Sequence, residues 1–262
     1  MEPITSTRNP RVRELAALHR RRERRERGQH LVEGPGPVSE AVAAGVVTEV
    51  WATEDGRARL AATGVLTPEL EVVPVAEHVL ERVADTRTPQ GVVALATTRT
   101  ATLDAVVGRG LLVVLDEVAD PGNVGTIVRT ADAAGATAVV LTPGCADVFG
   151  PKAVRAAAGS TYHLAVAAEV PIGEVAAACR AVGQRVFGLD AAGERSVDEL
   201  ASERPPLALV LGNEAHGLAP DTVAHLDGRI AIPIHGRAES LNVAAAAAIA
   251  IYAAARAVHR GA

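Results

Sequence analysis

The sequence predicts an α/β protein in two parts, and three observations carry that expectation. Apolar runs of strand length alternate with helix-like segments, the alternation lapses once between Thr97 and Gly110, and it resumes with fully apolar strands. At 262 residues and 48% hydrophobic composition, the chain can build one large or two ordinary globular cores.

The first element expected is a basic helix, "LHRRRERRERGQ". Residues 1–30 hold nine arginines against four glutamates, on a chain whose net charge is −5. Such a basic arm is an electrostatic footprint for phosphates or a solvated face with Arg and Glu at helical spacing. Lys152 is the single lysine against twenty-five arginines, so a general preference for arginine inflates every arginine run.

After the arm come strand "HLVEG", helix "PVSEAVAAG", strand "VVTEVWAT", a short polar helix, strand "LEVVPV", helix "AEHVLERVADT" and strand "GVVALATT". This alternation predicts a mostly parallel sheet. The stretch "TTRTATLDAVVGRG" reads as a linker, which sets domains at 1–98 and 109–262.

The second part opens with "LLVVLDEV", apolar without a break, as expected of a strand covered on both faces. Helix Gly122–Gly135, strand "TAVVL", helix "PKAVRAAAG", a strand near "YHLAV" and helix "PIGEVAAACRAVG" follow. Strands "RVFGLD", "LALVLG" and "RIAIPI" complete a sheet of about six strands, and a long helix runs from about Ser240 to Val258.

Composition excludes several functions. No apolar run reaches eighteen residues and "MEPITSTRNPRVREL" lacks a signal core, so a soluble cytoplasmic protein without membrane contact is expected. Cys145 and Cys179 read as core-filling thiols, and no histidine or cysteine spacing suits a metal. Aromatics at 2% argue against a sheet that stacks bases on exposed rings. A dinucleotide-dependent oxidoreductase on this layout is disfavoured, because no GxGxxG follows the first strand of the second part, and the GxxxxGK[ST] phosphate loop is absent too.

Three polar, glycine-bearing loops follow apolar strands: "DEVADPGNVG", "GNEAHGLAPD" and "PIHGRAESLN". Loops that leave the carboxyl ends of neighbouring strands converge on one crevice, where ligands bind. Asn123 and Arg129 lie near the apolar side of their helix, where burial costs free energy unless something satisfies them. Gly212 permits close backbone approach and Gly217 a tight turn, Ser240 stands where the N-cap of the last helix belongs, and Asn242 falls in its first turn. His216 and His235 are candidate general bases or plain surface histidines, and Lys152 and Arg155 meet phosphates or solvent.

"NVGTIVRTADAAGA", "LVLGNEAHGL" and "IPIHGRAESLNVAAAAAIAIY" resemble, in order and spacing, the three motifs of the SpoU or TrmH branch of the SPOUT RNA methyltransferases. The match runs from about Leu111 to Tyr252, and the preceding residues look like the smaller α/β substrate-binding domain of many members. The resemblance implies a knotted α/β domain with a C-terminal trefoil knot, a homodimer and S-adenosylmethionine as cofactor. It implies transfer of a methyl group to a ribose 2′-hydroxyl of RNA, 23S ribosomal RNA in preference to transfer RNA, and no DNA partner. A catalytically inactive RNA-binding protein of the same fold is the alternative.

Carried over residue by residue, Asn123, Arg129, Glu214, Ser240 and Asn242 are the catalytic candidates. Leu211, Gly212, Asn213, Ile232, Ile234 and Leu241 are the cofactor-binding candidates. Ala244 stands where many relatives have serine. A guanidinium titrates above about 12, so Arg129 is expected to clamp phosphate and stabilise the developing oxyanion, with the proton acceptor unassigned.

Overall fold

The computed structural model describes residues 2–259. In chain order the elements are α1 (Pro10–Ala17), α2 (Arg21–Arg27), β1 (Gln29–Glu33), α3 (Pro35–Ala43), β2 (Val47–Ala52), α4 (Glu54–Ala61), β3 (Val72–Pro74), α5 (Glu77–Val83) and β4 (Val92–Thr97). They continue with α6 (Leu103–Val106), β5 (Leu111–Leu115), α7 (Pro121–Ala133), β6 (Ala138–Leu141), α8 (Pro151–Ala157), β7 (Ala165–Ala168), α9 (Ile172–Ala181) and β8 (Arg185–Leu189). The last are β9 (Arg195–Ser196), β10 (Leu207–Leu211), α10 (Pro220–Val223), β11 (Gly228–Ala231) and α11 (Val243–His259). The chain divides into two compact units: residues up to Arg99 with Asp147–His163, and Thr100–Ala146 with Leu164 onward.

In the N-terminal unit the strand order is β1-β4-β2-β3. Strand β4 runs antiparallel to both β1 and β2, and only β2 and β3 are parallel, so the mostly parallel sheet expected here is corrected to a mixed one. Alternation of strands and helices announces crossovers but not the direction in which a strand re-enters the sheet. Helices α1 and α5 cover one face through Val12, Leu15, Val79, Leu80 and Val83, which pack with Trp51. Helix α3 covers the other through Val38 and Ala41, joined by Leu60 of α4 and Val154 of α8.

The basic arm is therefore part of a core. Val12, Leu15 and Leu18 are buried, and Arg24 is 6% exposed with its Nε and Nη2 donating to Asp147 Oδ2 at 2.9 and 2.6 Å and its Nη1 to the carbonyls of Leu18 and His19. A buried guanidinium needs this full set of acceptors, and it leaves Arg24 no capacity for phosphate. The helix "PKAVRAAAG" also belongs to this unit, where Arg155 pairs with Asp85 at 2.7 Å.

His30 is buried on β1, with Thr98 Oγ1 3.1 Å from Nδ1 and Tyr162 Oη 3.0 Å from Nε2. Burial holds its pKa down to about 4, against the raising effect of Asp147 and with a lesser lowering by Arg24. Because the folded value lies below the unfolded one, near 6.5, the unfolded chain binds the proton first; the stabilisation is complete above pH 6.5 and is lost as pH falls through about 4. Melting temperature is expected to fall across that window, and His30→Gln to flatten the fall while lowering stability at pH 8. An unchanged slope in the variant would refute the assignment.

The C-terminal unit has seven strands, all parallel, in the order β7-β6-β5-β10-β8-β11-β9. Its central strands are buried along their whole length, as "LLVVL", "AVVL" and "LALVL" require. Leu112, Val114, Val140, Ala208 and Val210 face a core completed by Val106 of α6 and Val175 and Cys179 of α9. The seventh strand, β9, is two residues long, too short to leave a periodic signal. The stretch expected as a linker is likewise structured in part: Ala101 N–H donates to the Val166 carbonyl at 2.8 Å and α6 follows.

Among the described residues, no helix is long and apolar enough to cross a membrane, and no group of three His, Cys, Asp or Glu side chains is placed to hold a metal.

Candidate active site

The site begins where the parallel strands end. Asp116 follows β5 and is 6% exposed, a carboxylate that must be satisfied internally. Its Oδ1 accepts from Thr142 Oγ1 at 2.9 Å, its Oδ2 accepts from Thr222 Oγ1 at 2.7 Å, and its N–H donates to the Leu211 carbonyl at 2.8 Å. One residue thus ties the end of β5 to those of β6 and β10 and to α10. Sequence reasoning passed over Asp116; the signal was an acid closing the fully apolar run "LLVVLD".

Glu117 comes next with φ of 56°, a left-handed conformation that costs a non-glycine residue of order 1 kcal/mol. It is held there by its N–H on Thr142 Oγ1 at 3.1 Å and by Asn213 Nδ2, which donates to its carbonyl at 2.8 Å. Helix α7 then starts at Pro121, capped by Asp120, whose Oδ1 accepts from the N–H groups of Gly122 and Asn123.

Glu214, from the loop after β10, reaches this helix start. Its two carboxylate oxygens accept from the N–H groups of Ala119 and Asp120, each at 3.0 Å, and Oε1 also accepts from Asn123 Nδ2 at 2.9 Å. Partial desolvation raises the Glu214 pKa, but the bonds from Asn123, Ala119 and Asp120 together outweigh it, so the carboxyl sits below the ordinary carboxylate range. A carboxylate so occupied is a poor proton acceptor and a good fixture. Asn123 Oδ1 in turn accepts from Asn242 Nδ2 at 3.3 Å. The chain Glu214–Asn123–Asn242 joins the three polar loops and fixes which way the Asn123 amide points.

Asn242, not Ser240, caps α11: its Oδ1 accepts from the N–H groups of Ala244 at 2.9 Å and Ala245 at 3.4 Å. Asparagine caps as well as serine, so local preference could not choose between positions two apart. Ser240 is exposed and lies outside the helix.

The expectation for Arg129 also changes. It is exposed on α7, and among the described residues no hydrogen bond or ion pair engages its guanidinium, so there is no burial cost for a ligand to offset. Six residues at 100° each turn it about 120° around the helix from Asn123.

Of the cofactor candidates, Leu211 is buried with its carbonyl taken by Asp116 N–H. A Cβ on Gly212 would stand 2.5 Å from the carbonyl carbon of Gly217 and 2.7 Å from the nitrogen of Leu218. The close approach read from Gly212 is thus made by its own loop, which Asn213 and Gly217 close with reciprocal backbone bonds of 3.1 and 2.9 Å. The Asn213 side chain is fully engaged, its Oδ1 accepting from Ala215 N–H at 2.8 Å within the loop and its Nδ2 donating to the Glu117 carbonyl outside it. Ile232 is half-buried, whereas Ile234 and Leu241 are 38% and 41% exposed. No backbone hydrogen bond engages residues 234–241 among the described residues, so their amides and carbonyls stand open beside two apolar side chains. His216 Nε2 lies 3.6 Å from Glu117 Oε2, and His235 is exposed.

Glu214→Gln is expected to set an amide NH2 against the N–H donors of the α7 start. Destabilisation of about 1–3 kcal/mol should follow, with loss of methyl transfer larger than any loss of cofactor affinity. Parent-like melting and turnover would show that these bonds position nothing.

Comparison with known proteins finds that residues 110–252 match the SpoU rRNA Methylase family and residues 9–94 the MRM3-like substrate binding domain. The chain is 34% identical to the 23S rRNA (guanosine(2553)-2′-O)-methyltransferase RlmP of Bacillus subtilis (strain 168), over 96% of this chain and 98% of that protein. It is also 34% identical to the 23S rRNA (uridine(2479)-2′-O)-methyltransferase of Streptomyces viridochromogenes, over 97% of this chain and 91% of that one. Among solved structures, the SpoU methyltransferase AviRb from Streptomyces viridochromogenes in complex with AdoMet superposes with a TM-score of 0.84 at 33% identity, covering 95% of this chain and 98% of that one. An AdoMet-bound rRNA methyltransferase from Sinorhizobium meliloti gives 0.87 at 31% identity, covering 97% of each chain.

Proposed function

Because the chain belongs to the SpoU rRNA methylase family, we propose that it transfers a methyl group from S-adenosylmethionine to a ribose 2′-hydroxyl of 23S ribosomal RNA. The observation that carries this reading is the convergence of Asn123, Glu214 and Asn242 from three loops at the carboxyl ends of β5, β10 and β11. Support for rRNA over transfer RNA comes from relatives of nearly full length named for 23S rRNA.

The residues present fit the cofactor. Ile234 and Leu241 offer apolar walls to an adenosine, and the open backbone of 234–241 offers the donors and acceptors that its ring edge needs. Gly212 lets the 213–217 loop fold tightly beside the strand end. When bound, the cofactor supplies an electrophilic methyl group on a sulfonium.

The protein must then position a ribose hydroxyl and manage its proton. Orientation alone supplies roughly 7 to 11 kcal/mol in favourable cases. The amide of Asn123, locked by Glu214 and Asn242, presents a fixed edge at the start of α7. Arg129 provides an exposed two-pronged cation for an RNA phosphate and for charge developing on the attacking oxygen. Glu214 positions Asn123 and is not the base.

A homodimer formed through α11 goes with this reading, supported by Ile249 and Tyr252, which are 44% and 52% exposed three residues apart on that helix. We also assign the fold a C-terminal trefoil knot and the protein a cytoplasmic location, as in the family resemblance. The test incubates the purified full-length chain with isotopically labelled S-adenosylmethionine and deproteinised rRNA, then maps hydrolysis-resistant 2′-O-methyl positions. Label at one ribose of 23S rRNA is expected. Label in transfer RNA alone would overturn the substrate, and cofactor binding without transfer to any RNA would overturn the activity.

A further inference from the structure

The arginines of the N-terminal unit differ in how they are paired. Arg11 lies 5.3 Å over the Trp51 ring and pairs with Glu49 and with Glu71, Arg22 donates to Glu26 at 2.7 Å, Arg24 is locked on Asp147, and Arg27 pairs with Glu23. Arg13 and Arg82 are exposed, and among the described residues neither guanidinium has a hydrogen-bond or ion-pair partner. Both line one open groove of about 290 Å³, together with Thr7, Ala16, Ala17 and Arg20. Among the described residues no carboxylate lines it. Arg20, its side chain 70% exposed, has a single pairing, with Glu23 at 3.2 Å.

We infer that this groove between α1 and α5 holds successive phosphates of the RNA strand on which the enzyme acts. Arg13 and Arg82, with no acid paired to either, share this lining with Arg20, whose charge Glu23 offsets in part; like charges gathered on one groove repel, and an anion between them relieves that repulsion. The walls are firm, because Val12 and Leu15 of α1 and Val79, Leu80 and Val83 of α5 share one core. Ala16 and Ala17 keep the floor low enough for a backbone to enter, and planar guanidinium forks match the paired oxygens of a phosphodiester. Such contacts set register and affinity without reading sequence.

The inference rests on the RNA-methyltransferase reading, and its test separates the two. Binding of deproteinised 23S rRNA is measured by filter retention across a salt series, for the full-length parent, the Arg13→Ala/Arg82→Ala double variant and the corresponding double lysine variant. The alanine pair is expected to bind about tenfold more weakly at 0.15 M salt. Its plot of log K against log salt should flatten by about 1.4 to 1.8, since each of the two lost phosphate contacts removes about 0.7 to 0.9. The lysine pair should keep the slope, and all three proteins should share one melting temperature and one S-adenosylmethionine affinity. A parent-like slope in the alanine pair overturns the groove and leaves the activity standing. A parent that binds S-adenosylmethionine but no rRNA overturns both.

Discussion

Arg129→Ala is expected to fold and to bind S-adenosylmethionine as the parent does, yet to lose on the order of a hundredfold or more in single-turnover methyl transfer. The structure makes this a clean test. The side chain is exposed with no partner among the described residues, so its removal touches neither a buried ion pair nor a packed surface, and stability should stay within about 0.5 kcal/mol. Any loss of rate then reports on RNA or on the reacting oxygen. Arg129→Lys should recover little, because a point charge on a flexible stem does not reproduce a two-pronged contact. Near-normal turnover in both variants would return Arg129 to the role of a solvated surface residue. A fall in melting temperature with loss of cofactor would contradict its exposure.

Gly212→Val is expected to abolish detectable cofactor binding. The first atom of any side chain there would stand 2.5 Å from the Gly217 carbonyl carbon and 2.7 Å from the Leu218 nitrogen, and backbone cannot swing aside as a flexible side chain can. The loop must open, breaking the reciprocal Asn213–Gly217 bonds and releasing Asn213 from the carbonyl of Glu117. Two comparisons give the result meaning. Gly217→Ala, where a Cβ meets open space but φ is 69°, should cost only about 1 kcal/mol of strain. Leu241→Ala removes an exposed apolar wall and should weaken S-adenosylmethionine severalfold with unchanged melting temperature. Calorimetry that finds equal, mild effects for Gly212→Val and Leu241→Ala would mean that adenosine lies elsewhere.

What sequence determined on its own is local and periodic. "LLVVL", "AVVL" and "LALVL" read as strands of a sheet covered on both faces, because a run apolar at every position leaves no face for water and four or five residues bounded by polar turns suit a strand better than a buried helix. Three glycine-bearing polar loops after such strands marked the crevice, and their order carried the family resemblance.

Tertiary structure decided everything that depends on which distant groups meet. Asn123 was legible as a polar residue in need of a partner. That the partners are Glu214 and Asn242, 91 and 119 residues away, follows from a strand order that places β10 beside β5 and from the packing of α11 on α7. Asp116 looked like a strand terminus until Thr142 and Thr222 closed on it. Arg24 read as one cation among nine, yet Asp147, 123 residues on, holds it buried, while Arg129, read near the apolar side of its helix, stands exposed. The direction of β4 and the packing of α8 with the first unit were settled in the same way. The physical reason is common to all of these. Propensity, capping preference and hydrophobic period are set by a residue and its near neighbours, whereas the burial of a charge and the satisfaction of a polar group depend on contacts that exist only once the sheet has assembled.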